Sequence, residues 1–444
     1  MERPPREFLS RMERLLGGDY PAFEAGCGLP AFRGIHLNTL KCSFGTLSRA
    51  LPFRLVPAPF SPLSYYLPPQ AERVGLTPLH HAGAFYVQEP SAASAVTALD
   101  PRPGEKILDL CAAPGGKSAQ IGSLLGGRGL LWSNEVVRGR AEVLLSNLER
   151  MGVANAVVSC CRPEKLCRVL SGWFDRVLVD APCSGEGMFR KSEEAVRAWS
   201  PEHVASCAAR QLAILRSAGS AVRENGVLVY STCTFSEEED EGVVSTFLQE
   251  SGDFELADCG LAAGRPALLP RARRVFPMDG GEGHFVAVLR RISANPSLVA
   301  EYVPAEGKHL GMAEELYGRI FRSGPTRRIE EKRESFFLLP DVLPALDGLN
   351  VLRAGLPLGR LRPGRVEPEH ALFMAAKPRE FNLSVNLGCD SPEIRAFLRG
   401  EELAVDAGGR GYAGVSVEGV TVGFGKCSGG RLKNKYPKGL RNPA

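Results

Sequence analysis

No Cys-x-x-Cys pair occurs in the 444 residues, although twelve cysteines do, and no Cys/His ligand spacing joins them. A structural zinc site needs such spacing, so no metal is expected. No stretch stays apolar for the roughly 18 residues of a membrane-spanning helix. The opening MERPPREFLSRMERLL is charged and helix-like, which no secretory leader is. A cytoplasmic protein with reduced thiols is therefore expected. Strong net charge is missing too. The balance is only +4, so bulk charge alone names no nucleic-acid partner. No fixed-period repeat or low-complexity block stands out.

What is present is unevenly distributed. The stretch 426–444 carries lysines and arginines and no acid. Residues 6–16 space Phe8, Leu9, Met12, Leu15 and Leu16 as a helix, which Gly17-Gly18 ends. RGIHLNTLK (33–41) predicts a strand and turn. The prolines of 51–70 predict irregular connections rather than a core element. Beyond about residue 100, apolar runs alternate with helical stretches. The strand candidates are KILDL (106–110), LLWSN (130–134), AVVSC (156–160), RVLVD (176–180), VLVYST (227–232) and FVAVL (285–289). This alternation predicts a doubly wound α/β sheet. GVSVEGVTVGFGK (414–426) predicts a small β-rich end domain. The expected divisions are 1–72, 73–291, 292–380 and 381–444.

Ligands of doubly wound sheets bind at the carboxyl ends of the strands. Asp109–Cys111, Glu135, Asp180–Cys183 and Thr232–Thr234 are all placed there. LDLCAAPGGKSAQIGSLL (108–125) runs from strand through glycines into helix. It lacks the GxxxxGK[ST] and GxGxxG spacings, so a ligand bearing a carboxylate, such as S-adenosylmethionine, fits better than a nucleoside triphosphate. An acid such as Glu135 after the second strand can bind ribose hydroxyls. Ser236 with Glu239 predicts a capping box for the next helix. Arg190 and Lys191 lie on the Gly-rich loop, where an exposed charge pair is the commoner reading than a phosphate contact. Cys183 and Cys233 each follow an apolar strand, and two thiols at one sheet edge are less readily dismissed as inert than one. The residues alone do not choose between them as nucleophile.

CAAPGGK (111–117), DAPCSGEG (180–187) and STCT (231–234) follow one another in this order. In this the chain resembles the Sun-type RNA (cytosine-C5) methyltransferases, and among them the small-subunit ribosomal RNA methyltransferase F type. HHAGAFYVQEPSAASAV (80–96) is similar to that type's segment leading into the catalytic domain. RGIHLNTLK is similar to its N-terminal domain, and LKNKYPKGLR (432–441) to the end of its PUA-like domain. The resemblance implies a Rossmann-like S-adenosylmethionine-dependent domain. A small N-terminal α+β domain and a β-rich PUA-like C-terminal region, both RNA-binding, would flank it. Cys111, Ala112, Ala113, Pro114, Gly115, Gly116 and Lys117 would contact the cofactor, Glu135 its ribose, and Asp180 would lie near the methyl-transfer centre. Cys233 would be the nucleophile and Cys183 would assist release. The implied substrate is 16S rRNA and the implied state a monomer. The same chemistry on tRNA, an RNA-binding assembly factor without catalysis, and a DNA methyltransferase attacking with Cys183 are the alternatives. Where many relatives carry an adenine-side Asp after the third strand, spacing back from Asp180 places Arg162, with Glu164 nearby.

The chemistry gives two thiols and an acid separate work. C5 of cytosine becomes nucleophilic only after a thiolate adds to C6. A hydrogen bond or proton at N3 stabilises the adduct, and Asp180 would supply it if held protonated. The C5 proton must then leave, which a second thiol or a water oriented by it can assist. The cytosine must also be unpaired or flipped out to be reached.

Overall fold

A computed structural model describes residues 3–405 and 407–441. The last three residues of the basic 426–444 stretch lie outside the described residues.

The expected apolar runs form the middle of a ten-stranded sheet. Its parallel part pairs Ala156–Ser159, Leu130–Asn134, Lys106–Asp109, Phe174–Asp180 and Val222–Thr232 in that spatial order. His284–Arg291 then adds antiparallel to Val222–Thr232. Strands buried on both faces need apolar residues at nearly every position, which is why they stood out in the sequence. Leu108, Trp132, Val157, Val177, Leu228 and Phe285 fill one face. Ile107, Leu131, Val158, Leu178, Val229 and Val286 fill the other, against the Gly116–Leu125 and Arg138–Arg150 helices. Each such side chain contributes about 1.5–3 kcal/mol on burial.

Sequence periodicity did not show the outer strands. Val351–Ala354, nearly 200 residues away, pairs antiparallel with Ala156–Ser159 and covers that edge of the central sheet. Near the chain start, Val56–Pro57, Ser64–Tyr66, Gly34–Leu37 and Phe85–Val87 make an antiparallel sheet. The expectation of purely irregular structure over 51–70 is corrected: Ser64–Tyr66 is an inner strand, and Pro57 sits on the outermost one, where its missing N–H costs no ladder bond. Strand pairing therefore runs across the expected divisions at 72 and 291. Ile329–Lys332, Ser335–Leu338, Leu356–Arg362 and Arg365–Pro368 form a third sheet. Ser384–Leu387, Gly411–Val417, Val420–Ser428 and Arg431–Asn434 form a fourth. Among the described residues no helix is long and apolar enough to cross a membrane, and no His/Cys/Asp/Glu group could hold a metal.

One cluster bears directly on function. Phe8 and Phe23, on the first two helices, pack with Phe189, Trp199, Phe235 and Phe276. Phe8 lies 4.9 Å from Phe189 and Phe23 lies 5.7 Å from Phe235, both edge to face. Edge-to-face pairs contribute beyond their buried area. Phe189 follows Cys183 on one loop and Phe235 follows Cys233 on the other, so the N-terminal helices lie against both thiol-bearing loops.

Candidate active site at the carboxyl edge of the central sheet

The turn after Lys106–Asp109 is held open by its hydrogen bonds. Leu110 N–H donates to the Leu178 carbonyl and Ala112 N–H to that of Asn134. Gly115 has φ +113° and a Cβ there would lie 3.1 Å from Leu144, so glycine is required on both counts. Gly116 opens the helix Gly116–Leu125, whose first-turn N–H groups face the carboxyl edge. Asp109 is fully buried and accepts from Ser118 at 2.7 Å. Its other oxygen has no partner among the described residues, and burial pushes the carboxyl up to about 7. Burial likewise pushes the Cys111 thiol well up, and its side chain packs against the core that includes Leu108 and Leu110.

Glu135 follows Leu130–Asn134 and is almost buried. One oxygen accepts from Val137 N–H at 2.9 Å; the other lies 3.3 Å from Arg140, which also donates to the Ala113 carbonyl at 3.1 Å. Arg140 thus ties Glu135 to the glycine turn. Free helix N–H groups for a carboxylate, an acid at the next strand end for hydroxyls, and glycines where a ligand passes the backbone all fit S-adenosylmethionine. Arg162 and Glu164, by contrast, are exposed beside the helix Pro163–Val169, which Arg162 immediately precedes.

Asp180 ends its strand directly beside Ser231 of the neighbouring one. Lys117 Nζ reaches one carboxylate oxygen at 2.7 Å and Ser231 Oγ donates to the other at 2.8 Å. Burial works to raise this carboxyl, but Lys117 and Ser231 outweigh it and hold it below its ordinary value. The lysine is also buried, yet Asp180 raises it above its own ordinary value. The condition under which Asp180 would donate at N3, a held proton, is therefore disfavoured, and the neighbouring group that carries protons is the Lys117 ammonium.

Cys183 Sγ and Cys233 Sγ lie 3.3 Å apart. Their contact is the largest influence on both thiols, raising Cys183 and lowering Cys233, and either sulfur can be the donor. Burial and the Asp180 carboxylate oppose a charge on Cys233, and Lys117 favours it.

The expected capping box does not form. The helix begins only at Glu241, and Ser236 Oγ donates to Glu238. Glu239 turns inward, where its carboxylate accepts from Ser184 N–H and Gln211. Asp240 and Glu241 also face inward, onto Arg274, so only Glu237 and Glu238 of these acids are exposed. Of the exposed pair expected at Arg190 and Lys191, Lys191 is exposed and Arg190 is only half-buried. Arg190 donates to the carbonyls of Leu29 and Pro30, and both cations lie within 4 Å of the buried Glu282.

Backbones pack closely between the two loops. A Cβ on Gly187 would lie 2.9 Å from the Cys233 carbonyl oxygen and 3.1 Å from Gly283. Gly187→Ala is expected to push the Cys233 turn aside. Catalytic turnover should fall about tenfold or more, and stability by about 1–3 kcal/mol. Turnover measured beside a thermal melt checks both.

Four segments match descriptions of known families. "16S rRNA methyltransferase RsmB/F" matches residues 96–290 and "N-terminal domain of 16S rRNA methyltransferase RsmF" matches 5–90. "RsmF rRNA methyltransferase first C-terminal domain" matches 315–375 and "Methyltransferase RsmF PUA domain" matches 384–442. The chain is 32% identical to ribosomal RNA small subunit methyltransferase F of Vibrio vulnificus, over 98% of this chain and 97% of the relative. It is 34% identical to that of Aeromonas hydrophila, over 94% and 93%. The chain belongs to the ribosomal RNA small subunit methyltransferase F family.

The class expected from the sequence, an S-adenosylmethionine-dependent rRNA methyltransferase on a Rossmann-like fold, is the class of this family. A solved methyltransferase homologue from Pyrococcus horikoshii is 29% identical, with TM-score 0.57, and covers 65% of this chain and 95% of its own. NSun6 from the same organism, solved with SFG, shares the fold at 22% identity and TM-score 0.57, covering 65% of this chain and 98% of its own. In this family member, sequence reasoning missed Arg140, Gln211 and Asn134. Asn134 accepts from Ser159 Oγ and Cys161 N–H and donates to the Cys161 carbonyl, pinning three strand ends. The only local signal for Asn134 was a polar residue closing a fully buried strand.

Proposed function

We propose that this chain methylates C5 of cytosine in 16S rRNA, through an adduct between Cys233 and C6. The observation that carries it is the pair of unequal thiols 3.3 Å apart, beside the Lys117–Asp180 pair at the cofactor turn. Residues 111–117 and Glu135 hold S-adenosylmethionine, which when bound supplies the electrophilic methyl group that C5 accepts. Cys233, the more acidic sulfur, adds its thiolate electron pair to C6, and the displaced C5=C6 pair makes C5 nucleophilic. Lys117 donates to the base on the side where charge builds up, and Asp180 and Ser231 keep its ammonium in place. A water oriented by the Cys183 thiol receives the C5 proton. The C–H electron pair re-forms C5=C6 and expels the Cys233 thiolate.

The asymmetry of the thiols supports Cys233 rather than Cys183 as the attacking one. In this proposal segments 1–72 and 381–444 hold RNA, 73–291 carries the chemistry and 292–380 joins it to the end domain. The PUA match at 384–442 and the lysines and arginines within it support RNA contact there. A reaction centre that needs Cys183 and Cys233 as thiols suits a protein working in the reducing cytoplasm, and we take it to act as a monomer. Mapping 5-methylcytosine in 16S rRNA from cells with and without the gene tests the reading. One or more marks should vanish and return with the parent gene but not with Cys233→Ala. An unchanged 16S map with a lost mark in tRNA would transfer the reading to tRNA.

A further inference from the structure

The two thiols stand on separate loops, and buried hydrogen bonds fix their approach from both sides. Glu239, on the Cys233 loop, accepts from Ser184 N–H at 2.9 Å and from Gln211 Nε2 at 2.7 Å. Gln211 also donates to the Pro182 carbonyl at 3.1 Å, so the residues either side of Cys183 are both gripped. Glu186, on the Cys183 loop, reaches the opposite way. It accepts from Phe235 N–H and Thr234 Oγ1, each at 2.9 Å, and from Trp199 Nε1 at 2.8 Å. Ser184 Oγ lies 2.9 Å from Thr234 Oγ1, and Gly187 N–H donates to the Cys233 carbonyl at 2.9 Å. Glu186 is 3% exposed and Glu239 not at all, and among the described residues neither has a cationic partner in its ion pairs. A carboxylate buried without a cation costs stability, which its donors offset only in part: both bonds to Glu239 end on one oxygen, and the other has no partner among the described residues. Apolar packing would hold two loops together more cheaply, so the carboxylates point to a need for fixed geometry.

We propose that Glu186 and Glu239 are positioning residues that each set the thiol of the opposite loop, Glu239 fixing Cys183 for release and Glu186 fixing Cys233 for attack. This rests on the thiol roles proposed above. The two carboxylates then govern different steps, although neither touches the base.

Glu239→Gln and Glu186→Gln replace one acceptor oxygen with a donor at nearly constant size. Gln211→Met loosens the Cys183 turn from the helix Pro201–Ala221 and removes one donor to Glu239, while both carboxyl groups stay in place. Each full-length variant is incubated with small-subunit rRNA and S-adenosylmethionine, beside the parent and Cys183→Ala. Covalent protein–RNA bands are read on a denaturing gel, with melting temperature and cofactor affinity measured in parallel. Glu239→Gln and Gln211→Met should accumulate adduct as Cys183→Ala does, with turnover lowered about ten- to a hundredfold. Glu186→Gln should form adduct slower by a similar factor and accumulate none. Parent-like adduct levels in Glu239→Gln and Gln211→Met, while Cys183→Ala accumulates it, would overturn the proposal. So would an equal loss in all three variants that tracks their melting temperatures. No adduct in Cys183→Ala would overturn the thiol roles themselves.

Discussion

Cys233→Ala is expected to lose methyl transfer by ~10⁴-fold or more, since removing a covalent nucleophile leaves only binding and orientation. It should form no covalent band with rRNA. Cys183→Ala is expected to behave in the opposite way, forming the adduct and failing to resolve it, so that the band accumulates under turnover conditions. The split follows from the proposed roles: the sulfurs lie 3.3 Å apart, and their contact lowers Cys233 and raises Cys183. Alkylation supplies an independent check. In the parent, Cys233 should react with iodoacetamide at pH values below the ordinary thiol range. In Cys183→Ala its reactivity should shift to higher pH, because the hydrogen bond that lowers it is gone. An exchange of the two phenotypes would make Cys183 the nucleophile. Methylation intact in both variants would remove the covalent mechanism.

Lys117→Met should have the next largest effect, a loss of about 10²–10⁴-fold in rate. The variant keeps the length of the side chain and removes the one cation that, among the described residues, is hydrogen-bonded to Asp180. Burial is then opposed only by what Ser231 and His284 supply, and the carboxyl is expected to rise. The sign of the stability change follows. In the parent the folded Asp180 lies below its unfolded value near 3.8, so its contribution is present above that value and lost as pH falls through the folded one. In Lys117→Met the folded carboxyl lies above 3.8, and its contribution is lost as pH rises. Melting temperatures of the two proteins should therefore differ most near neutral pH and converge below about pH 4. Lys117→Arg keeps the charge but replaces a point donor with a planar fork, and should recover stability better than rate. A Lys117→Met rate equal to the parent's, with S-adenosylmethionine bound normally, would remove Lys117 from the chemistry.

The central strands were legible because a parallel sheet covered on both faces demands unbroken apolar runs. Leu130–Asn134 and Ala156–Ser159 are buried at every residue. The residues at the strand ends were legible for a related reason, since polar side chains closing such runs must collect along one edge. Direction was the part that could not be read. Whether Glu239 caps its own helix or turns inward to Ser184 depends on where Gln211 lies, 28 residues away in sequence. The charge state of Asp180 depends on Lys117, 63 residues away. Arg190 looked solvated because Glu282, its partner, is 92 residues distant. Val351–Ala354 carries only half-buried positions and one buried arginine, which no strand pattern would have singled out.

That last strand has a further consequence. By lying along Ala156–Ser159 it seals what would otherwise be an open row of backbone donors and acceptors. A chain cut after the catalytic segment would keep every residue of the reaction centre and yet expose a flat, apolar template for pairing with other copies of itself. Solubility of the catalytic segment is in this sense supplied by sequence some sixty residues beyond its last catalytic-sheet strand, His284–Arg291.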